Sequence, residues 1–174
     1  MTRARRLGIA LSLLLAVPLN GQDVSVEYQV KAAFLYNFIR FVEWPASAQS
    51  GPVIVCVAGR NPLGSFLDET VKGETTDGRP IVPRVILEPD AACRVVFVPK
   101  GATTSAYLRE ARGVPVLTIG EADDFLEAGG IVNFYVDNGK VRFEISPQAA
   151  ERAQLRISSR LLQLARIRNP GDGR

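Results

Sequence analysis

The pattern of apolar and polar residues predicts a long helix over residues 24–43, "VSVEYQVKAAFLYNFIRFVE". Apolar residues recur there every three or four positions, which is the spacing of one helix face. The polar residues Lys31, Arg40 and Glu43 are interpreted as marking the solvent side. Pro45 is expected to end the helix, because the residue before a proline is pushed out of the helical region.

Four short runs rich in valine predict strands: "PVIVCVAG", "RPIVPRVIL", "CRVVFVP" and "VPVLTI". Nearly continuous apolar runs are typical of parallel strands that are buried on both faces. Pro83 places the second run at a sheet edge or marks a break in it. Helices are predicted between the runs: one from the cap Asn61 and Pro62 to about Thr70, then "TTSAYLREAR" and "EADDFLEAG".

The segment "GGIVNFYVDNGKVRFEIS" predicts an antiparallel hairpin. Asn138 and Gly139 separate two alternating runs, and this dipeptide favours the two-residue type I′ turn. The resulting register pairs Phe134 with Phe143 on the apolar face. Ser146 is expected to cap a following helix of about eight residues, and "SSRLLQLARI" predicts a terminal helix.

The alternation of strands and helices predicts an α/β fold: a largely parallel sheet with helices on both faces, plus a C-terminal antiparallel hairpin. A chain of 174 residues is the size of one domain. We expect that single domain to cover residues 22–168, with a frayed tail at 169–174.

The N-terminus has the pattern of a secretory signal peptide over residues 1–21. Arg3, Arg5 and Arg6 precede an apolar run at residues 7–17. That run is shorter than the roughly 20 residues of a membrane span, although an uncleaved anchor is the alternative. The pattern predicts export to the periplasm.

Removal of the signal peptide changes the charge of the chain. The full sequence has 21 basic and 18 acidic residues, a net charge of +3. The three arginines of residues 1–21 account for this excess, so the mature chain is neutral. The sequence therefore gives no indication of nucleic-acid binding.

Cys56 and Cys93 are the two cysteines of the chain. In an exported protein such a pair predicts a disulfide, with two buried free thiols as the alternative. Unstaggered parallel strands would leave the two cysteines about three residues out of line, roughly 10 Å, which is more than the ~7 Å that a disulfide tolerates. A disulfide therefore requires staggered strands, or Cys93 in the loop before its strand.

The residues that common enzymes use are mostly missing. The chain has no histidine, which excludes Ser-His-Asp and Cys-His sites and the common zinc sites. The loop "AGRNPLGS" lacks the phosphate-binding lysine and the G-x-G-x-x-G pattern, so an ordinary turn is the simpler interpretation. We predict a protein without catalytic residues, metal or cofactor; a hydrolase with unusual residues is the alternative.

A basic, amphipathic segment lies near the C-terminus. Arg152, Arg156 and Arg160 alternate there with apolar residues such as Leu155. This pattern fits either a solvated outer face or an interaction surface, where arginine is enriched.

Three segments together resemble the YfiR-like family of bacterial periplasmic proteins: "YQVKAAFLYNFIRFVEWP", "GGIVNFYVDNGKVRFEIS" and "LRISSRLLQLARI". The resemblance runs from about Tyr28 to Ile167. It implies an α/β homodimer without catalytic activity, with Cys56 and Cys93 at the position of the family's disulfide. It also implies a repressor that binds the periplasmic domain of an inner-membrane diguanylate cyclase, with an outer-membrane lipoprotein as a second partner.

The main hypothesis is thus an exported regulator of a membrane cyclase or sensor kinase. The residues of the candidate partner interface are Tyr36, Trp44, Arg152, Leu155, Arg156 and Arg160. For Tyr36 and Trp44 two interpretations stay open: a position at the edge of the core, or an exposed contact with the partner. The alternative is a periplasmic sensor that binds a small ligand near residues 59–64, at the carboxyl ends of the strands, and acts on another membrane signalling system.

Overall fold

The structure, a computed structural model, describes residues 20–168. The predicted signal peptide at residues 1–21 lies outside the described residues, apart from the backbone of residues 20 and 21. The predicted tail at residues 169–174 lies outside them as well.

The described chain contains helices and strands in alternation. The helices are α1 (Asn20–Phe41), α2 (Phe66–Val71), α3 (Thr104–Glu110), α4 (Pro147–Arg152) and α5 (Ser159–Leu164), with a short 3-10 helix at Ala46–Ala48. The strands are β1 (Val42–Glu43), β2 (Val53–Ala58), β3 (Thr75–Thr76), β4 (Arg79–Ile86), β5 (Cys93–Val98), β6 (Leu117–Gly120), β7 (Val132–Asp137), β8 (Lys140–Ile145), β9 (Arg156–Ile157) and β10 (Arg166–Ile167).

Eight of these strands form one mixed sheet in the order β10-β8-β7-β6-β5-β2-β4-β3. The five central strands, β7, β6, β5, β2 and β4, run parallel to one another. On either side of them, β8 is antiparallel to β7, and β3 is antiparallel to β4. The strands β1 and β9 form a separate antiparallel pair. The predicted fold, α/β with a largely parallel sheet and a C-terminal hairpin, is confirmed.

Helices cover both faces of the sheet. On one face, α1 and α2 pack over the larger core, in which Leu35, Phe38 and Ile39 are fully buried. On the other face, Tyr107 and Leu108 of α3 belong to a smaller core. The order of the strands explains this arrangement, because the chain leaves β2 toward β4 on one side and returns to β5 and β6 on the other.

The hairpin is as predicted. Asn138 and Gly139 have φ angles of 49° and 71°, as a type I′ turn requires. Phe134 pairs with Phe143, and both rings lie within 6.1 Å of the ring of Phe34 on α1.

The first helix is shorter at its C-terminus than predicted. It ends at Phe41 rather than at residue 43, because Val42 and Glu43 pair with Ile157 and Arg156 as strands β1 and β9. The pairing of β1 with β9 therefore ends this helix four residues before Pro45.

The helix predicted from Asn61 begins later, at Phe66. The side chain of Asn61 holds a turn instead: its Oδ1 accepts the N–H of Leu63 at 3.1 Å, and its Nδ2 donates to the carbonyl of Gly64 at 3.0 Å. Gly64 has a φ of 54°, a conformation that breaks a helix.

Two other predicted helices also differ. The segment "EADDFLEAG" forms irregular turns, in which the N–H of Gly130 bonds to the carbonyl of Phe125 five residues earlier. The terminal helix ends at Leu164, because Arg166 and Ile167 pair with β8 as strand β10. The helix after Ser146 has six residues, and the Ser146 hydroxyl caps it by accepting the N–H of Ala149.

Cys56 and Cys93 form a disulfide, with 5.8 Å between their Cα atoms. A β-bulge explains how it forms: Ile54 pairs with Cys93 and Val55 with Val95, so Arg94 is an extra residue in β5. The bulge shortens the three-residue offset to two and turns Cys93 to the face of Cys56. The strands are therefore staggered, and Cys93 begins β5.

Loss of this disulfide should destabilise the protein substantially. The two cysteines are 37 residues apart, so a Cys56→Ala/Cys93→Ala variant should lose about 4 kcal/mol of the free energy of unfolding by the chain-entropy estimate. Urea denaturation of both proteins measures this difference. Wild type in a reductant serves as the control and should match the variant, and a difference below about 1 kcal/mol would contradict the expectation.

Candidate functional site

Two of the six predicted interface residues lie in the core. Trp44 is 4% exposed and Leu155 is 2% exposed, and both belong to the larger core cluster. For Trp44 the structure thus favours the core over an exposed contact. Both side chains therefore lie beneath the surface.

Two other predicted residues, Arg156 and Arg160, lie on the surface next to the end of α1 and to β1. Strand β9 carries Arg156, whose Nε lies 3.8 Å from a carboxylate oxygen of Glu43 on β1. Arg160, in α5, holds its guanidinium carbon 6.0 Å from the ring centroid of Phe41. We call these four residues, Phe41, Glu43, Arg156 and Arg160, the arginine surface.

The arginine surface is built by the end of α1. The carbonyl of Phe41 accepts the N–H of Ser158 at 3.0 Å, and the hydroxyl of Ser158 caps α5 by accepting the N–H of Leu161. The same short segment therefore fixes the positions of β9 and of α5. Of the two exposed arginines, Arg160 is held beside an aromatic ring, over which a guanidinium stacks favourably, and Arg156 is held beside Glu43.

Tyr36 and Arg152 lie in other environments. Tyr36, on α1, donates its hydroxyl hydrogen to Glu74, and this hydrogen bond is the main cause that raises the pKa of Tyr36. Arg152 is exposed and lines a cavity together with Arg112, which follows α3. The six predicted residues therefore do not form one continuous surface, and their role as an interface stays a prediction.

The sequence analysis missed a buried ionic cluster. Lys31 is 4% exposed, and its ammonium forms ion pairs with Glu27 on α1 and with Glu121, which directly follows β6. Glu121 also accepts the N–H of Lys100 at 2.9 Å and lies 3.4 Å from the hydroxyl of Tyr28. The cluster joins α1 to the carboxyl ends of β5 and β6.

The interpretation of Lys31 as a solvent-facing residue is therefore wrong. Lys31 lies four residues before Leu35 and seven before Phe38, which is the stripe that α1 buries. Helical spacing alone places it on the buried face. We interpreted Lys31 as exposed because lysine is almost never fully buried unless it is paired. The sequence did not reveal its partner, because Glu121 is 90 residues away.

Removal of one partner from this cluster should be costly. Lys31→Met leaves Glu121 with a buried charge, and such changes cost about 3–5 kcal/mol. The double variant Lys31→Met/Glu121→Gln should lose less free energy of unfolding than the two single variants lose together. Urea denaturation of wild type, the two single variants and the double variant measures these differences in the free energy of unfolding.

The exposed pair Arg109 and Glu110 offers a matched control, with 3.7 Å between its charged groups. Arg109→Met should change the free energy of unfolding by less than about 0.5 kcal/mol. Strict additivity of the two changes at Lys31 and Glu121 would contradict the coupling.

The cluster also perturbs a tyrosine. Burial, followed by the charges of Glu121 and Glu27, raises the pKa of Tyr28 to about 12, from an ordinary value of about 10. The unfolded chain loses this proton first, so the contribution of Tyr28 to stability is present below pH 10 and is lost as the pH rises toward 12.

An absorbance titration of tyrosine ionisation tests this shift. The difference between wild type and Tyr28→Phe should titrate near pH 12 while the protein remains folded, and the same difference in denaturant should titrate near pH 10. A folded-state difference that titrates near pH 10 would contradict the assignment.

A cavity of about 600 Å³ lies at the carboxyl ends of β2 and β5. Gly59, Arg60 and Lys100 line it, together with Glu88 and Tyr107. It occupies the point at which the chain direction across the sheet reverses, which is where ligands bind in open α/β sheets. Within residues 20–168, no group of acidic residues or cysteines could hold a metal ion.

The geometry defines a doubly wound α/β domain with exposed arginines and a cavity at its strand ends. Residues 28–166 match the model of the YfiR/HmsC-like family, and the chain belongs to this family. The family is one of periplasmic regulators. No curated protein matches the chain. None of the helices in the described part of the chain is long and apolar enough to span a membrane.

Proposed function

We propose that this protein is an exported regulator that binds the periplasmic sensing domain of a membrane-bound diguanylate cyclase and holds the cyclase inactive. Membership of the YfiR/HmsC-like family is the observation that carries this proposal. The protein acts by binding and not by catalysis. A sensor kinase is the other class of membrane enzyme that such a regulator could bind.

The location in the periplasm has three supports. The N-terminal pattern of residues 1–21 is that of an export signal, the family is periplasmic, and disulfides such as Cys56–Cys93 persist in oxidising compartments. By resemblance, the proposal extends to a homodimer and to an outer-membrane lipoprotein as a second partner.

The arginine surface is the proposed contact with the cyclase. The side chain of Arg156 is 87% exposed, and its partner Glu43 is 72% exposed. An exposed pair at 3.8 Å contributes little to stability, so Arg156 can exchange Glu43 for a carboxylate of the partner at little cost. Phe41 adds an aromatic ring beside Arg160, and aromatic residues are enriched in interfaces.

A ligand sensor is the second candidate function. The cavity of about 600 Å³ beside Arg60 and Lys100 favours it, since its volume is that of a small-molecule site. A thermal-shift screen that finds no ligand for a well-folded sample would count against this candidate. The two functions are compatible, because this cavity and the arginine surface share no residue.

Charge reversal on the arginine surface tests the main proposal. Arg156→Glu/Arg160→Glu should release the cyclase and raise cellular cyclic di-GMP toward the level of a deletion strain, because the partner's complementary charges would be repelled. The melting temperature should stay within a few degrees of wild type, since both side chains are exposed.

Arg109→Glu on α3 is the matched control, because this exposed arginine lies on the other face of the sheet. It should leave cyclic di-GMP unchanged. Normal repression by a folded double variant would refute the proposed contact, and a melting temperature lowered by many degrees would attribute derepression to unfolding.

A further inference from the structure

The connection between β4 and β5 leaves part of the sheet uncovered. Residues 87–92, all of them in the described part of the chain, cross the face of β2 without forming a helix. In most parallel connections a helix fills this position. Here a groove remains between the connection and α3.

One hydrogen bond divides this groove. The hydroxyl of Tyr107 on α3 donates to the carbonyl of Leu87 at 3.0 Å. On one side lies the cavity at the carboxyl ends of the strands described above, and on the other side lies a cavity of about 490 Å³ toward their amino ends. We call the second one the Arg94 cavity.

The walls of the Arg94 cavity are mainly apolar. Its lining includes Val96 on the floor, the ring of Tyr107, and Val114 and Val116 before β6. Its volume lies within the range of about 300–1,000 Å³ that holds small-molecule ligands. The cavity therefore fits a compact apolar body.

Arg94 supplies a polar group that lacks a partner. Its Nε is buried and makes no hydrogen bond to any residue of the 20–168 range, and Nη1 reaches the carbonyl of Ala91 only at 3.4 Å. A buried donor without a partner costs free energy unless a ligand or water satisfies it. The bulge places Arg94 beside Cys93 on the same face, so the disulfide fixes the backbone that carries it.

The nearby carboxylates do not satisfy Arg94. Asp90 is bound by Arg84 at 2.9 Å and by the N–H of Ala92 at 2.8 Å. The side chain of Glu110 is 61% exposed and lies 3.7 Å from Arg109. No neighbouring side chain therefore supplies the acceptor, and a ligand can: a planar carboxylate matches the Nε and Nη edge of a guanidinium.

We propose that the Arg94 cavity binds a small carboxylate with an apolar body. The carboxylate pairs with the guanidinium of Arg94, and the apolar body lies against Val96, Val116 and Tyr107. The site is separate from the arginine surface, and the inference does not depend on the cyclase as partner.

Calorimetric titration of the purified protein with 3-phenylpropanoate tests the proposal, with the uncharged 3-phenylpropanol as the matched probe. The carboxylate should bind, and the alcohol should bind at least tenfold more weakly. Arg94→Gln should weaken binding of the carboxylate about ten- to a hundredfold, the range for a charge-assisted hydrogen bond. Arg109→Gln, which makes the same change of charge outside the cavity, should bind as wild type does.

Amide chemical shifts locate the bound probe. With 3-phenylpropanoate, shifts should change at Val96, Tyr107 and Val116 and remain unchanged around Phe41 and Arg160. Three results would overturn the proposal: no binding by folded wild type at millimolar probe, equal binding by Arg94→Gln, or equal affinity for the alcohol.

Discussion

Strands β2 and β5 pair in parallel at the centre of the sheet, and the extra residue Arg94 in β5 turns Cys93 toward Cys56. The rest of the structure depends on this bulged pairing. It sets where the chain reverses direction across the sheet, and so where the carboxyl ends of the two strands separate to form a cavity. It also fixes the position from which Arg94 reaches the second cavity.

The helix α1 connects this sheet to the proposed interface. At its middle, Lys31 pairs with Glu121 after β6. At its end, the carbonyl of Phe41 and the strand β1 hold β9 and α5, which carry the two arginines of the arginine surface. An exposed, charged surface thus rests on buried contacts, since Trp44 and Leu155 lie in the core beneath this region. Such support holds the backbone that carries both arginines, while their side chains remain exposed.

The sequence predicted the hairpin and the central strands, whose signals are local. The Asn138–Gly139 turn determines the hairpin register by itself, and the valine-rich runs predict the central strands because burial on both faces selects such residues. The two-residue strands β1, β3, β9 and β10 were missed, because two residues carry no periodicity. Three of them, β1, β9 and β10, are created by pairing across the fold.

The residues of the candidate sites were predicted less completely, for the same reason. Arg156 and Arg160 were found because arginine within an apolar segment is a local pattern. Lys31 and Glu121 are 90 residues apart, and the cavity of Arg94 depends on a bulge and on a connection without a helix. A pattern along the chain does not report distances of this kind, so these sites emerge only from the fold.

Crosslinking in living cells shows whether the arginine surface contacts a membrane signalling enzyme, as we propose. A photoreactive amino acid in place of Ser159, an exposed residue next to Arg160, would be compared with one in place of Ser105, an exposed residue on α3. We expect the probe at position 159 to capture the periplasmic domain of a diguanylate cyclase, or of a sensor kinase, and the probe at position 105 to capture neither. Absence of any membrane enzyme from both products, in a folded and disulfide-bonded protein, would contradict this expectation.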